Sequence, residues 1–155
     1  MAKLYLVRHA KAGERRLWTA DDLDRPLSKK GWKQADLVGK RLAKLGPSTL
    51  LSSAYVRCIQ TLEPLAERIG QPVEIDERLT EDQPVEPLIE LLRDAPKHTV
   101  MCTHGDLIPA AIAHLERRGA KITTPPDWRK ASVWVLQRNK SGTIVTAAAW
   151  PPPVL

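Results

Sequence analysis

The sequence predicts a three-layer α/β/α fold in which a mainly parallel sheet is closed by a C-terminal antiparallel hairpin. Four short apolar runs are each followed by a segment with helical spacing of its apolar residues. After the fourth helical segment, two runs with strand character flank the turn at residues 139–142. Repeated strand–helix alternation favours parallel strands with helices packed on both faces of the sheet.

The composition is that of one ordinary globular domain spanning residues 1–155. Of the 155 residues, 43% are hydrophobic and 27% are charged, which is enough to form a sizeable core. We find no apolar stretch of membrane-spanning length and no signal-peptide pattern, so we expect a cytoplasmic domain without a membrane partner. Cys58 and Cys102 have no metal-ligand spacing and are expected to be reduced core residues.

The formal net charge of +6 raises the question of nucleic-acid binding. The basic residues are scattered, however, and no aromatic-rich RNA-binding signature accompanies them. We therefore expect no nucleic-acid partner. A basic surface would equally attract anionic phosphate compounds or an acidic protein, and the sequence predicts no oligomeric state.

The first half of the chain contains three predicted strands. Residues 4–7 form the first, and Arg8 and His9 follow at once. The polar residues 11–25 either wall a site or form a plain solvent loop. Ser28 is the expected N-cap of a helix that ends at Gly46. The other predicted elements are a strand at 49–53, a helix through 58–69 that Pro64 should kink or interrupt, and a strand at 73–75.

The second half repeats the alternation and then changes character. An acidic loop at residues 76–82 leads to a helix with apolar positions at 85–92. The fourth strand is expected at 98–103 and the fourth helix around 108–115. Residues 118–129 are expected to be loop. The predicted hairpin pairs residues 132–137 with residues 143–148.

Arginines and histidines follow the predicted strands. Arg8 and His9 come after the first strand, Arg57 shortly after the second, and His104 after the fourth. Because the carboxyl ends of parallel strands share one edge, these residues should converge there. Arginine binds phosphate oxygens in a fork, and histidine offers a nucleophilic nitrogen near neutral pH. The pattern favours a site where one histidine attacks phosphorus and the others hold its oxygens.

Four segments follow one another in an order typical of a known family. They are residues 6–10, residues 25–31 with 34–35, residues 53–61 and residues 103–105. They resemble the motifs of the histidine phosphatase superfamily (phosphoglycerate-mutase-like), particularly its minimal SixA-type members. The resemblance implies that His9 is the nucleophile and that Arg8, Arg57 and His104 bind phosphate.

Other segments are similar to the phosphatase half of mycobacterial two-domain MutT-type Nudix proteins, which handle nucleotides. They are residues 57–58, 61–66, 79–81 and 129–136. The Nudix half itself is absent from this sequence, so the nucleotide role does not transfer automatically.

The general acid is the least defined member of the site. Residues 79–81 are similar to the Leu-x-Glu that carries the proton donor in mutase-like members, which makes Glu81 the first candidate. Asp106 is the second, although its place before a helix favours an N-cap role. Glu77 and Asp82 are expected to be solvated loop charges.

The leading interpretation is a hydrolase that forms a phosphohistidine intermediate and acts on phosphohistidine in another protein. Without an inserted cap, the site should be shallow enough for a group presented on a protein surface. A nucleotide or other small-molecule phosphatase is the alternative, and a phosphate-dependent binding or regulatory module with weak activity is a third. No cofactor is expected, and metal independence is predicted because no carboxylate cluster accompanies the motifs to hold Mg²⁺.

Overall fold

The computed structural model describes all 155 residues and contains seven strands and four α-helices. The first half comprises β1 (Ala2–Arg8), α1 (Lys29–Ala43), β2 (Thr49–Ser52), α2 (Val56–Ile69) and β3 (Val73–Ile75). The second half comprises α3 (Glu86–Asp94), β4 (Thr99–Thr103), α4 (Leu107–Arg117), β5 (Lys121–Ile122), β6 (Val133–Arg138) and β7 (Ile144–Trp150). None of the helices combines the length and apolar character needed to cross a membrane.

All strands belong to one sheet with the order β3-β2-β4-β1-β6-β7-β5. The pairs β3–β2, β2–β4, β4–β1 and β7–β5 are parallel, whereas β1–β6 and β6–β7 are antiparallel. The predicted mainly parallel sheet with a C-terminal antiparallel hairpin is therefore confirmed. Strand β1 lies at the centre, because it pairs with the parallel half on one side and the hairpin on the other.

The alternation of side chains along β1 divides the core between the two faces of the sheet. Leu4 and Leu6 belong to the cluster that includes residues of α3 and α4. Tyr5 and Val7 belong to the cluster that includes residues of α1 and α2. The helices thus cover both faces, as the three-layer prediction requires.

Helix α1 begins as the sequence predicts. The Ser28 hydroxyl accepts a hydrogen bond from the Gly31 amide at 3.1 Å, which caps the helix. Its own amide donates to the Lys11 carbonyl at 3.0 Å, so the helix start is attached to the chain just beyond β1. Gly31 is required here, because an added Cβ would lie 1.9 Å from the Lys11 carbonyl oxygen.

Two expectations about secondary structure are wrong in part. Helix α2 is not interrupted at Pro64, and the flanking Leu62 and Leu65 are fully buried. Their packing compensates for the backbone hydrogen bond that proline removes. Residues 118–129 are not entirely loop, since Lys121 and Ile122 form β5 and pair with Thr146 and Ala147. A two-residue edge strand is too short to leave a periodic pattern in the sequence.

We expect Gly31→Ala to destabilise the fold. Alanine normally stabilises a helix relative to glycine by up to about 1 kcal/mol. Here the backbone contact with Lys11 reverses the sign, and overpacking should lower the free energy of unfolding by roughly 1–3 kcal/mol. Urea denaturation measures the change. Gly13→Ala is the control, because its Cβ would meet nothing closer than 3.9 Å. Equal stability of the two variants would contradict the packing argument.

Candidate active site

The carboxyl ends of β1, β2 and β4 border one open cleft, which has a volume of about 430 Å³. Arg8, His9, Arg57, Glu81 and His104 all line it, so the structure brings together every residue that the sequence nominated. The other candidate acid, Asp106, also lines the cleft. Glu77 does not line it, but Asp82, which was expected to be a solvated loop charge, does.

His9 is held in one defined tautomer by the backbone. Its Nδ1 lies 2.9 Å from the Ala10 carbonyl oxygen, which can only accept, so Nδ1 carries the hydrogen. The lone pair of the neutral ring is therefore on Nε2. The pKa of His9 is lowered to about 3, mainly by burial; the charges of His104, Arg57 and Arg8 act in the same direction, and the Ala10 hydrogen bond opposes them. The ring is thus uncharged at neutral pH, with its only hydrogen on Nδ1.

The segment after His9 is fixed by side chains from α1 and α2. The Ala10 amide donates to the Thr61 hydroxyl at 2.9 Å, and the Lys11 amide donates to Gln34 Oε1 at 3.0 Å. The Thr61 hydroxyl in turn donates to the Arg57 carbonyl at 2.7 Å. The Gln34 and Thr61 positions of the sequence motifs thus orient the backbone around His9.

Arg8 crosses directly over Gly105. Its Nη1 donates to the Trp128 carbonyl at 2.5 Å, whereas its buried Nε has no hydrogen-bond partner. A Cβ at Gly105 would lie 2.7 Å from the Arg8 Cζ atom, so the glycine after His104 leaves room for the guanidinium. An unpartnered, buried cationic N–H is costly unless a ligand oxygen satisfies it.

Arg57 lies almost completely buried at the start of α2. Its Nη2 donates to Asp22 Oδ2 at 3.2 Å and to Glu81 Oε1 at 3.0 Å, and its Nη1 donates to the Asp22 carbonyl at 3.1 Å. Its Nε has no partner. Two carboxylates therefore fix the guanidinium and leave its Nε–H without a partner.

His104 is held from behind by Ser53. Its Nε2 lies 2.9 Å from the Ser53 hydroxyl, and the Tyr55 ring packs edge-on at 4.9 Å between centroids. Its buried Nδ1 has no hydrogen-bond partner, and the nearest carboxylate oxygen, Glu81 Oε2, is 3.7 Å away. If Ser53 donates its hydrogen to Nε2, Nδ1 carries a proton and can donate into the cleft. The His9 and His104 rings stand edge-to-face, 5.5 Å apart.

The two candidate acids occupy different environments. Glu81 contacts both Arg57 and His104, as the preceding distances show. Asp106 stands at the start of α4, but its side chain does not cap the helix. It accepts a hydrogen bond from the Asp82 amide at 2.8 Å instead. The N-cap expectation is wrong because the neighbouring loop, where Asp82 adopts a positive φ of 66°, supplies a competing donor.

Sequence reasoning missed the role of Asp22. The segment before α1 forms short 3₁₀ helices at Arg15–Leu17 and Asp22–Asp24. Most of it is exposed, but its two ends, residues 11–15 and Arg25, line the cleft. Asp22 binds Arg25 at 2.9 Å and Arg57 at 3.2 Å. Desolvation of the Asp22 carboxyl raises its pKa, but Arg25 and Arg57 outweigh this effect, so the pKa of Asp22 is lowered overall. The aspartates at residues 21, 22 and 24 could have indicated this role, but Arg57, the partner of Asp22, lies 35 residues further along the chain.

The comparisons with known proteins agree with the site. A family model described as histidine phosphatase superfamily (branch 1) matches residues 4–85. An 8-oxo-(d)GTP phosphatase of Mycolicibacterium smegmatis is 35% identical over 155 aligned residues, covering 96% of this chain and 48% of that protein. The chain therefore spans about half the length of this relative.

Solved structures match over nearly the whole chain. The protein histidine phosphatase SixA, complexed with tungstate, aligns with a TM-score of 0.75 at 23% identity and covers 92% of each chain. A mycobacterial glucosyl-3-phosphoglycerate phosphatase, complexed with VO3, aligns with a TM-score of 0.70 at 22% identity, covering 99% of this chain and 100% of the other. At these identities the matches establish the fold.

The pKa of His9 predicts a specific dependence of stability on pH. The pKa of His9 is 6.5 in the unfolded chain and about 3 in the folded protein. Between these pH values the unfolded chain binds a proton at His9 and the folded protein does not. Stability is therefore lost as the pH falls through that window. From pH 7 to pH 5, the wild type should lose about 2 kcal/mol more unfolding free energy than His9→Gln. Urea denaturation at both pH values tests this, and parallel losses would refute it.

Proposed function

Because this chain belongs to the histidine phosphatase superfamily, we propose that it is a phosphatase in which His9 Nε2 attacks phosphorus. The observation that carries the proposal is the neutral His9, which lines the same cleft as three buried donors without partners, Arg8 Nε, Arg57 Nε and His104 Nδ1. A phosphoryl group bound by those donors would satisfy them. The roles of these residues stay predictions until the variants below are measured.

The proposed reaction has two displacements. In the first, the Nε2 lone pair forms a bond to phosphorus, and the electron pair of the broken P–O bond departs with the leaving group. In the second, water attacks phosphorus and the electron pair returns to Nε2, which releases phosphate. Arg8, Arg57 and His104 neutralise the oxygens of both transition states, the task that metal ions perform in other phosphoryl-transfer sites.

For the substrate we favour a small phosphate compound, with nucleotides as the leading class. The support is the 35% identity to the mycobacterial 8-oxo-(d)GTP phosphatase over 96% of this chain. The cleft itself adds an excess of basic over acidic residues among those that line it. Both observations fit an anionic small molecule, and they move the balance away from the phosphohistidine protein that the sequence favoured.

Phosphohistidine in a protein remains the second candidate. The connections after β1, β2 and β4 carry no inserted domain that would cover the cleft. A phosphorylated side chain on another protein could therefore approach it. A direct comparison of kcat/KM for a phosphohistidine protein, a nucleotide and an alkyl phosphate decides between the two candidates.

We expect His9→Ala to abolish turnover on every substrate, by a factor of about a thousand or more. The wild type, mixed with a ³²P-labelled substrate and quenched in alkali, should carry label on His9. The control is His114→Ala, because His114 lies in α4 outside the cleft. Label on His104, or wild-type activity in His9→Ala, would overturn the assignment.

The effect of Glu81→Gln depends on the leaving group. An alkoxide needs a proton as it departs, so a positioned acid is worth ~10²–10⁴-fold on alkyl phosphates. A departing phosphate or imidazole needs that proton less, and the loss should stay below about tenfold if Glu81 only orients Arg57 and His104. Asp106→Asn is the matched control. A larger effect of Asp106→Asn on alkyl phosphates would transfer the acid role to that residue.

A further inference from the structure

Basic side chains outnumber carboxylates in the lining of the cleft. Its lining includes six basic side chains and four carboxylates: Arg8, Lys11, Arg15, Arg25, Arg57, Lys130, Glu14, Glu81, Asp82 and Asp106. Asp22 pairs with Arg15, Arg25 and Arg57, and Glu81 also pairs with Arg57. Arg8, Lys11 and Lys130 have no carboxylate partner within 4 Å. Arg8 is assigned to the transferred phosphoryl group, so two lysines remain.

Both lysines are carried by backbone that is fixed beside His9. The Lys11 carbonyl accepts hydrogen bonds from the Ser28 amide at 3.0 Å and the Ser28 hydroxyl at 3.1 Å. On the other side of β1, the Ala131 amide, next to Lys130, donates to the Arg8 carbonyl at 3.1 Å and the His9 carbonyl at 3.3 Å. Both lysines therefore stand on backbone segments that are hydrogen-bonded beside the proposed nucleophile.

The charges around Lys130 act on one another. Burial lowers the pKa of its ammonium group, and the like charges of Arg8, Arg25, Lys11 and Arg57 lower it further. These cations repel one another, and a bound anion would relieve the repulsion. Neither lysine has a carboxylate partner, so both ammonium groups remain available to a second anionic group of the substrate.

We propose that Lys11 and Lys130 form a second anion subsite, which binds the phosphate adjacent to the one transferred to His9. This inference rests on the proposed function and names its substrate class: compounds with at least two consecutive phosphates, such as nucleoside di- and triphosphates. The bond that breaks joins the terminal phosphorus to the bridging oxygen. The electron pair stays on that oxygen, and the two ammonium groups stabilise the charge that develops on the departing phosphate.

The subsite also explains how the reaction could proceed without a dedicated general acid. A departing phosphate carries its developing charge next to fixed cations and needs no proton at the moment of cleavage. Glu81 is then free to hold Arg57 and His104, the contacts that it makes. A monophosphate ester would contact only Arg8, Arg57 and His104, and the two lysines would bind no phosphate.

Binding is tested first, with inorganic pyrophosphate and inorganic phosphate as probes in a His9→Ala background that prevents turnover. Calorimetry should show pyrophosphate binding at least about tenfold more tightly than phosphate, since charge-assisted contacts are each worth this much or more. Lys130→Ala and Lys11→Ala should each remove most of that difference, and Lys130→Arg should retain it. Lys140→Ala, a charge-matched change in the exposed hairpin turn, should have no effect.

Kinetics then separate this inference from the proposed function. With His9 present, Lys130→Ala should reduce kcat/KM for ADP by about tenfold or more and for an aryl phosphate by less than about threefold. Equal affinities for pyrophosphate and phosphate, or equal losses on both substrates, would overturn the subsite. So would a phosphohistidine protein that is turned over faster than ADP and is insensitive to Lys130→Ala. His9-dependent aryl phosphatase activity in that case would leave the proposed function intact, whereas activity without His9 would refute the proposed function itself.

Discussion

A guanidinium group buried at the carboxyl edge of the sheet constrains the rest of this structure. Arg57 is only 1% exposed. Removing its charge from water is unfavourable unless anionic oxygens surround it. Asp22 and Glu81 supply them, and both accept from the same nitrogen, Nη2, at 3.2 and 3.0 Å. The two segments that carry these carboxylates are therefore folded onto the cleft by the charge they neutralise. The polar stretch before α1 becomes a wall of the site because Arg57 needs a partner there.

The fold and the main site residues follow from the sequence for a common reason. Short apolar runs such as residues 4–7 report burial on both faces of a parallel sheet, and the topology then gathers whatever follows each run. Arg8 ends β1, and His9 and His104 directly follow β1 and β4, so their meeting requires only the correct strand order. This part of the prediction depends on local pattern and sheet geometry alone.

What the sequence could not reveal depends on contacts between distant segments. The link from Asp22 to Arg57 spans 35 residues, and the capping role expected of Asp106 failed because the amide of Asp82 competes for its side chain. Strand β5 is two residues long and is set by its neighbour β7 rather than by its own composition. Pro64 is tolerated because tertiary burial outweighs the local cost of proline. The charge balance of the cleft likewise becomes visible only when its paired and unpaired cations are distinguished in space.

The attachment of α1 to the chain beyond β1 has a consequence for how the molecule loses its structure. Ser28, Gln34 and the close approach of Gly31 tie the first half of that helix to Lys11, two residues from His9. The helix cannot fray from its N-terminus without releasing the backbone that orients the histidine. Local melting and loss of the reactive geometry thus form one cooperative event, and this region has no separate low-energy opening that would spare the site. Heat or denaturant should remove both together, as a single unit.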